Sequence, residues 1–302
     1  FARPNPCSSQ LPSPNLALSH SRSLAPQAMS AHTVKPGQEL MQRWRLDSKK
    51  ILVTGSTKGI GFSIANELLA MGASVWVVSR SEEDVAETTA KFGAEFGGDK
   101  VQGCAADIST DEGRKKLIDS VRQVWGTLDG LVNNAGTNVR KPALEATDEE
   151  YSSIMKTNMD SVWFLSRLAH PLLKANPGGA IVNVASVAGV ASTGSGGIYA
   201  MSKAAVIQLT KTLACEWASH GIRVNCVAPW VTNTPLLAAA AKPPGVNDKV
   251  AAWTPLARPA EPHEIASAVS FMLLPAAGYI TGQTLCADGG LTANLFAGPC
   301  LD

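Results

Sequence analysis

The sequence predicts a single α/β domain in which a parallel, doubly wound sheet carries helices on both faces. Three observations predict this fold class. Short apolar runs alternate with helical segments from residue 49 onwards. The runs are apolar throughout rather than at every second position, which is typical of parallel strands buried on both faces. The length of 302 residues allows one hydrophobic core and a tail.

The strands and helices can be assigned in order along the chain. The strands are short apolar runs, and they cover residues 51–54, 73–78, 101–106, 128–132, 179–185, 222–228 and 283–287. The helices have apolar residues at helical spacing, and they cover residues 60–71, 82–97, 111–125, 148–175 (one helix or two), 200–219 and 261–274. This alternation predicts helical crossovers between neighbouring parallel strands.

The N-terminal stretch differs in composition from the rest of the chain. Residues 1–38 contain no Asp or Glu but do contain three basic residues among many Ser, Pro and Ala. Such a composition predicts disorder and is also typical of an organelle transit peptide. A plain tail, or a translated leader upstream of Met29, explains it equally well. We therefore expect a tail or transit peptide at 1–46, a folded domain at 47–302, and a cytoplasmic or plastid location.

Composition excludes several function classes. The formal net charge is +1, which argues against nucleic acid or an anionic membrane surface as a partner. No stretch approaches the roughly 18 apolar residues that a membrane span needs. The six cysteines include no CxxC pair, and no Cys/His cluster has zinc-finger spacing. We expect no metal site, and we expect a small molecule as the partner.

A glycine-rich loop, TGSTKGIG at residues 54–61, joins the first strand to the first helix. Glycines at these places let the backbone approach a pyrophosphate closely, and the helix N-terminus favours negative charge. The loop therefore predicts dinucleotide binding in a Rossmann-type sheet. The predicted contacts are Gly55, Ser56, Thr57, Lys58, Gly59, Ile60 and Gly61.

The end of the second strand predicts which dinucleotide is bound. An acidic residue there would accept hydrogen bonds from a free ribose 2′-hydroxyl. This chain instead has Ser79 and Arg80, with Lys58 in the neighbouring loop. Two cations and a hydroxyl suit a 2′-phosphate, which Arg binds in a fork. The expected cofactor is NADP(H).

Three further residues indicate proton-transfer chemistry. Tyr199 and Lys203 are four residues apart at a helix start, hence on one face. A nearby ammonium favours phenolate and is expected to lower the pKa of Tyr199 from its usual value near 10. Ser186 follows a strand at the edge of the sheet where ligands gather. Its hydroxyl could hydrogen-bond a substrate oxygen.

These motifs together resemble those of short-chain dehydrogenase/reductases. The matching features are the loop at 54–61, Asn133-Asn134-Ala135-Gly136, Asn158, Ser186, Tyr199 and Lys203. They occur in that family's order and spacing, and the resemblance runs from about Lys49 to Leu295. It implies an enzyme that reduces a ketone to a secondary alcohol with NADPH, or runs the reverse oxidation.

The resemblance implies a role for each catalytic position. Tyr199 would be the general acid for reduction, and Ser186 would orient the carbonyl. Lys203 would bind the nicotinamide ribose and lower the pKa of the tyrosine. Asn158 would hold a water that relays protons through Lys203.

The resemblance also implies cofactor contacts outside the glycine-rich loop. Asp107 corresponds to a residue that contacts the adenine, and Thr234 to one that contacts the carboxamide. The implied contacts are Asp107, Ile108, Asn134, Ala135, Gly136, Tyr199, Lys203, Pro229, Val231 and Thr234.

One departure narrows the match. The family usually has Pro-Gly where this chain has Pro229-Trp230. Together with segments 136–142, 213–217 and 282–283, this resembles the tropinone reductase-like branch, whose substrates are small cyclic or terpenoid ketones. The substrate pocket is expected to include Arg140, Ser186, Tyr199 and Trp230. The resemblance also implies a homodimer or homotetramer, and the apolar segment 205–217 is its predicted contact.

Two alternatives share most of these motifs. A 3-oxoacyl carrier-protein reductase has the same catalytic residues and needs a basic docking surface, which Arg140 and Lys141 could supply. A non-catalytic NADP(H)-binding sensor or scaffold belongs to another class of protein. The presence of all four catalytic residues argues against the sensor, because binding alone does not require them.

Overall fold

Seven parallel strands form one sheet in the order β3-β2-β1-β4-β5-β6-β7. The computed structural model describes residues 36–239 and 246–294. The strands are β1 (Lys50–Thr54), β2 (Ser74–Ser79), β3 (Val101–Ala105), β4 (Gly130–Asn133), β5 (Ala180–Val184), β6 (Arg223–Pro229) and β7 (Thr284–Ala287). Every neighbouring pair is parallel. The predicted fold class is therefore confirmed.

Helices connect the strands and cover both faces of the sheet. They are α1 (Pro36–Gln42), α2 (Gly59–Ala70), α3 (Glu82–Phe96), α4 (Asp111–Trp125), α5 (Asp148–Met155), α6 (Ser161–Lys174), α7 (Gly197–Trp217), α8 (Pro235–Ala239), α9 (Val246–Trp253) and α10 (Pro262–Leu273). A π-helical turn, Lys156–Asp160, joins α5 to α6. Short 3₁₀ turns lie at Gly98–Lys100, Ala143–Glu145, Val187–Gly189, Ala218–His220 and Pro275–Ala277.

The hydrophobic core forms two layers, one on each side of the sheet. Helices α4, α6 and α7 contribute to the first layer, in which Leu117, Leu165 and Leu213 are buried against strand residues. Helices α2, α3 and α10 contribute to the second, which contains Leu68 and Phe92. Continuously apolar strands are needed because each strand packs against helices on both faces. The chain therefore has the two packed layers that the strand composition predicts.

The topology creates a crevice next to β1. This strand pairs with β2 on one side and with β4 on the other. The connections after β1 and β4 run to opposite sides, so the loops at the carboxyl ends of these strands diverge. In open α/β sheets, ligands bind at such a switch point. The loop at 54–61 and Asn133-Asn134-Ala135-Gly136 both start there.

The packed part of the chain begins before residue 47. Trp44 stacks on Phe271 of α10 with ring centroids 6.0 Å apart, and Leu46 is almost completely buried. The backbone oxygen of Arg43 also accepts a hydrogen bond from Ala276. The predicted tail at 1–46 thus overlaps a segment that packs on the domain, because Trp44 and Leu46 supply apolar surface. The transit-peptide prediction rests on residues 1–38, of which 1–35 lie outside the described residues.

The predicted strands and main helices occur at the expected places, with ends that differ by up to about three residues. The segment 148–175 forms α5, the π-helical turn and α6 rather than one regular helix. Helices α1, α8 and α9 were not predicted from the sequence. In the described part of the chain, no helix combines the length and apolar character that crossing a bilayer requires.

Candidate active site

A cleft of about 780 Å³ opens at the carboxyl ends of the strands, across the switch point. One end of the cleft lies next to β2 and the other lies next to α7. The β2 end contains Arg80 and Asp107, and the α7 end contains Tyr199 and Lys203. Seventeen further predicted positions also line the cleft, and they are Gly55, Thr57, Lys58, Gly59, Ile60, Gly61, Ser79, Ile108, Asn134, Ala135, Gly136, Arg140, Ser186, Pro229, Trp230, Val231 and Thr234.

The glycine-rich loop has no room for side chains at its turn. Gly55 and Gly59 have φ angles of +65° and +58°, which L-residues with side chains rarely adopt. A Cβ on Gly61 would lie 2.1 Å from the backbone oxygen of Gly55. A bare backbone of this kind, leading into the N-terminus of α2, fits a pyrophosphate group.

Asn134 holds this loop in place from the neighbouring strand. Its Nδ2 donates hydrogen bonds to the backbone oxygens of Thr54 (2.9 Å) and Gly55 (3.2 Å). The backbone nitrogens of Asn134 and Ala135 donate to Oγ1 of Thr54. The conformation of the loop is therefore fixed by contacts between β1 and the segment after β4.

Ser56 does not line the cleft, in contrast to the sequence-based expectation. Its side chain is fully buried. Its Oγ donates to the backbone oxygen of Val53 (2.8 Å) and accepts from the backbone nitrogen of Val78 (2.8 Å). The hydroxyl thus connects β1 to β2 beneath the loop. Glycine-rich spacing locates a loop but does not show which way each of its side chains points.

The β2 end of the cleft contains an ion pair that the sequence did not predict. Lys58 Nζ lies 2.8 Å from an Asp84 carboxylate oxygen, and both residues line the cleft. Ser79 Oγ donates to the backbone oxygen of Ser81 and accepts from its backbone nitrogen. Arg80 is exposed and forms no hydrogen bond or ion pair with any described residue.

Asp107 lies near Arg80 in the loop after β3. Its Oδ1 accepts hydrogen bonds from the backbone nitrogen and the hydroxyl of Ser109. Partial burial disfavours the charged carboxylate, but the bonds from Ser109 and the charges of Arg80 and Arg114 outweigh it. The pKa of Asp107 is therefore below its usual value. The side chain is held as an acceptor at the mouth of the β2 end.

Asn158 lies beneath the cleft rather than in its wall. It is completely buried within the π-helical turn. Its Oδ1 accepts from the backbone nitrogen of Thr137 (2.8 Å), and its Nδ2 donates to the backbone oxygen of Thr137 (2.9 Å) and to Ser202 Oγ (3.1 Å). The amide therefore fixes the segment after β4 against the start of α7.

Lys203 extends from α7 into the interior at the α7 end. Its Nζ donates to the backbone oxygen of Val184 (2.9 Å) and lies 5.7 Å from the centre of the Tyr199 ring. A Cβ on Gly136 would come within 3.4 Å of that nitrogen and 3.3 Å of Asn158 Oδ1. Burial lowers the pKa of Lys203 to about 8. The ammonium thus lies directly below the Gly136 backbone.

Tyr199 is the second ionisable group at the α7 end. Burial raises the pKa of its phenol, while a hydrogen bond with Ser186 and the charge of Arg140 act in the opposite direction. Within the protein chain the net direction is therefore upward, opposite to the expected lowering, because desolvation outweighs both favourable interactions. Ser186 is fixed by the backbone nitrogen of Ala188, which donates to its Oγ.

The outer wall of the α7 end is polar. Arg140 is exposed there. Asn138 Nδ2 donates to the backbone oxygen of Ser195 (3.0 Å), and the Ser195 and Thr193 hydroxyls are 2.7 Å apart. Both Asn138 and Ser195 line the cleft. Asn138 lies in the segment 136–142 that carries the resemblance, but neither residue was predicted as a site residue.

Trp230 and Thr234 form the opposite wall. The indole Nε1 of Trp230 donates to Thr254 Oγ1 (3.1 Å), and Thr254 is buried. A Cβ on Gly59 would lie 3.3 Å from Thr234 Cγ2, so Thr234 faces the glycine-rich loop across the cleft. Over the described residues, no group of three or more His, Cys, Asp and Glu side chains could hold a metal ion.

Comparisons with known proteins agree with this geometry. A family model described as enoyl-(acyl carrier protein) reductase matches residues 55–292. A tropinone reductase homologue of Arabidopsis thaliana is 46% identical over 260 residues, which cover 86% of this chain and 98% of the relative. Another, from Datura stramonium, is 45% identical over 259 residues, which cover 84% and 96%.

A solved structure with the same fold is a gluconate 5-dehydrogenase from Burkholderia cenocepacia in complex with NADP and tartrate. It is 31% identical, and the alignment has a TM-score of 0.80 and covers 85% of this chain and 100% of that chain.

Proposed function

The chain belongs to the short-chain dehydrogenase/reductase family, in its tropinone reductase-like branch, and we propose that it is an NADPH-dependent reductase of a small ketone. The reaction gives a secondary alcohol and is reversible. The observation that carries the proposal is the convergence of Ser186, Tyr199 and Lys203 at the α7 end of a glycine-lined cleft. The bound NADPH would supply the hydride.

Each residue at the α7 end has a distinct part in the proposed reaction. Tyr199 donates its phenolic proton to the substrate oxygen as that oxygen gains negative charge. Ser186 orients the carbonyl through its hydroxyl. Lys203 binds the nicotinamide ribose, and its ammonium stabilises the phenolate that remains after proton transfer. Burial of the Tyr199 phenol keeps it protonated near neutral pH, which suits a proton donor.

Asn158 acts as a positioning residue in this proposal. Its amide is occupied by Thr137 and Ser202, so it fixes the distance between the segment after β4 and the helix that carries Tyr199. The expected water relay through Lys203 would have to run past this amide.

The preference for NADPH over NADH rests on the β2 end. Arg80 is exposed at the cleft and has no ion-pair partner among the described residues, so its guanidinium is free to bind a 2′-phosphate in a fork. The solved relative contains NADP, which supports the same choice here. The contacts proposed for the rest of the cofactor are the cleft-lining residues predicted from the sequence, apart from Ser56.

The outer wall of the α7 end supports a neutral or carboxylate-bearing ketone as substrate. Arg140, Asn138 and Ser195 supply one positive charge and several hydrogen-bonding groups. Among the described residues, no acidic side chain lines the cleft at this end, so the charge of Arg140 would repel a cationic substrate. The tartrate in the solved relative is a dicarboxylate.

The two alternatives have less support. A 3-oxoacyl carrier-protein reductase would need a basic docking surface, but Lys141 is paired with Glu150. The curated relatives are tropinone reductase homologues, which does not favour it. A non-catalytic sensor would not need the arrangement around Tyr199.

A homodimer or homotetramer belongs to the same proposal. The residues first expected to make the contact, Val206, Leu209, Leu213 and Trp217, are buried within their own subunit. The face of α7 that remains exposed includes Met201, Ala204, Thr212 and Cys215, and it is the surface we propose for the contact. Light scattering at micromolar concentration tests this, and a monomer would contradict it.

The function is tested by a panel of ketones with NADPH oxidation as the readout. The panel includes tropinone, a neutral bicyclic ketone, a keto acid and an acetoacetyl thioester, each also measured with NADH. We expect turnover of at least one small ketone and a higher kcat/KM with NADPH. Turnover of the thioester alone would support the carrier-protein reductase, and no turnover of any carbonyl would support the sensor.

A further inference from the structure

The β2 end of the cleft contains one more charged group than a simple phosphate site needs. Lys58 immediately precedes α2, and Asp84 lies in the first turn of α3. Their side chains meet at 2.8 Å inside the cleft, where Asp84 is 29% exposed and Lys58 is 63% exposed. The carboxylate is therefore the more enclosed partner.

The three groups expected to bind a 2′-phosphate, which belong to Lys58, Ser79 and Arg80, differ in whether they already have a partner in the protein. The Lys58 ammonium is paired with Asp84, and the Ser79 hydroxyl is occupied by the backbone of Ser81. The Arg80 guanidinium alone among the three has no hydrogen bond or ion pair within the described part of the chain. The site thus offers one free cation and one cation that a carboxylate already holds.

We propose that Asp84 is a specificity-determining residue that limits the preference for 2′-phosphorylated cofactor. The inference rests on the proposed function, because it concerns how strongly NADPH is chosen. A 2′-phosphate must draw Lys58 away from Asp84 before that cation contributes to binding. A carboxylate near the ribose is also the feature that favours a free 2′-hydroxyl. Arg80 binds the 2′-phosphate, and Asp84 reduces the contribution of Lys58 to the affinity for that phosphate.

A purely local role for Asp84 makes different predictions. Its backbone nitrogen donates to Ser81 Oγ, which caps α3, and an acidic residue in the first turn of a helix is stabilising. If that were its whole role, removing the charge would lower stability and leave nucleotide selection unchanged. A binding measurement, which needs no catalysis, therefore distinguishes a role of Asp84 in cofactor selection from a role in helix stability alone.

The experiment compares Asp84→Asn with Glu83→Gln as the matched control. Glu83 is an exposed carboxylate in the same helical turn and does not line the cleft, so it changes the net charge equally. The probes are adenosine 2′,5′-bisphosphate and 5′-AMP, titrated by calorimetry. We expect Asp84→Asn to bind the bisphosphate about two- to fivefold more tightly, the range for release of a partly exposed pair. Its affinity for 5′-AMP, and both affinities of the control, should change by less than about twofold.

If wild type prefers the bisphosphate and Asp84→Asn binds it no more tightly, the inference about Asp84 is wrong and the proposed NADPH preference stands. Equal wild-type affinity for the two probes would instead contradict the proposed NADPH preference. If Asp84→Asn does not fold, Asp84→Ser takes its place, because serine also removes the charge and has a moderate helix propensity.

A double variant tests whether Asp84 acts through Lys58. In the Lys58→Met background, Asp84→Asn should tighten bisphosphate binding by less than about twofold, since no ammonium remains to be released. An undiminished gain would overturn the assignment to Lys58.

Discussion

Lys203 donates a hydrogen bond from Nζ to the backbone oxygen of Val184, 2.9 Å away, from a position where the side chain is only 4% exposed. One bond from an ammonium with three donors leaves much of the cost of burying its charge uncompensated. Burial accordingly lowers its pKa from 10.5 to about 8. This buried charge makes stability depend on pH.

Replacing Lys203 by Met should remove that pH dependence. Below pH 8 Lys203 is charged in both the folded and the unfolded wild type, so the folded state bears the full free-energy cost of burying the charge. Between pH 8 and 10.5 the folded chain loses the proton first, so wild-type stability rises with pH relative to the variant. A shift of this size corresponds to about 3 kcal/mol.

Urea unfolding of both proteins at pH 7, 8.5 and 10 measures the effect. Lys249→Met, on an exposed site of α9, is the control and should follow the wild type. A constant stability difference across this range would show that Lys203 is not buried as a charge.

Removing the Tyr199 hydroxyl should separate binding from chemistry. Tyr199→Phe retains the ring beside Lys203, so NADPH binding should stay within about twofold of wild type. General acid catalysis contributes typically about 10²–10⁴-fold, and kcat should fall by that amount. Fluorescence titration and steady-state kinetics on the same preparation give both values. Retained turnover would mean that another group donates the proton.

The charge of Arg80 should decide between NADPH and NADH. Arg80→Asp would lose the proposed charge-assisted forked contact with the 2′-phosphate, worth about 1.5–3 kcal/mol, or about one to two decades in affinity. The ratio of kcat/KM for the two cofactors should then reverse. Lys100→Asp changes the net charge equally and lies before β3, at the opposite end of the sheet from the cleft. A similar change in that control would assign the effect to net charge instead.

Arg140 should discriminate against cationic ketones. Tropinone carries a protonated amine near neutral pH, and a cation about 4–6 Å from it costs roughly 1–4 kcal/mol. A neutral bicyclic ketone of similar size should therefore have the higher kcat/KM in the wild type. Arg140→Ala should narrow the difference, whereas Lys141→Ala, whose cation is paired with Glu150, should not. A wild type that prefers tropinone would contradict the electrostatic argument.

Patterns in the sequence predicted what depends on periodicity and on motif spacing. The seven strands, the glycine turn at Gly55 and Gly59, and the placement of Tyr199 and Lys203 at a helix start all follow from such patterns. The direction in which a single side chain points does not follow from such patterns. Ser56 belongs to the loop motif but points into the sheet, and Asn158 belongs to the catalytic motif but is buried beneath the cleft.

Other features were missed because they depend on contacts between distant segments. Asp84 is one of three consecutive acidic residues in the first turn of α3, and nothing in the sequence marks it as the one that meets Lys58. Asn138 and Ser195 are 57 residues apart, and no sequence pattern indicates that they meet.

The hydrogen bonds from Asn134 to Thr54 and Gly55 hold the start of the glycine-rich loop in one conformation without a nucleotide. A flexible loop would lose conformational entropy on binding, about 1–2 kcal/mol for each residue that becomes ordered. Here the neighbouring strand has already imposed that order during folding. Binding of the proposed dinucleotide would therefore cost less conformational entropy at Thr54 and Gly55 than binding to a flexible loop.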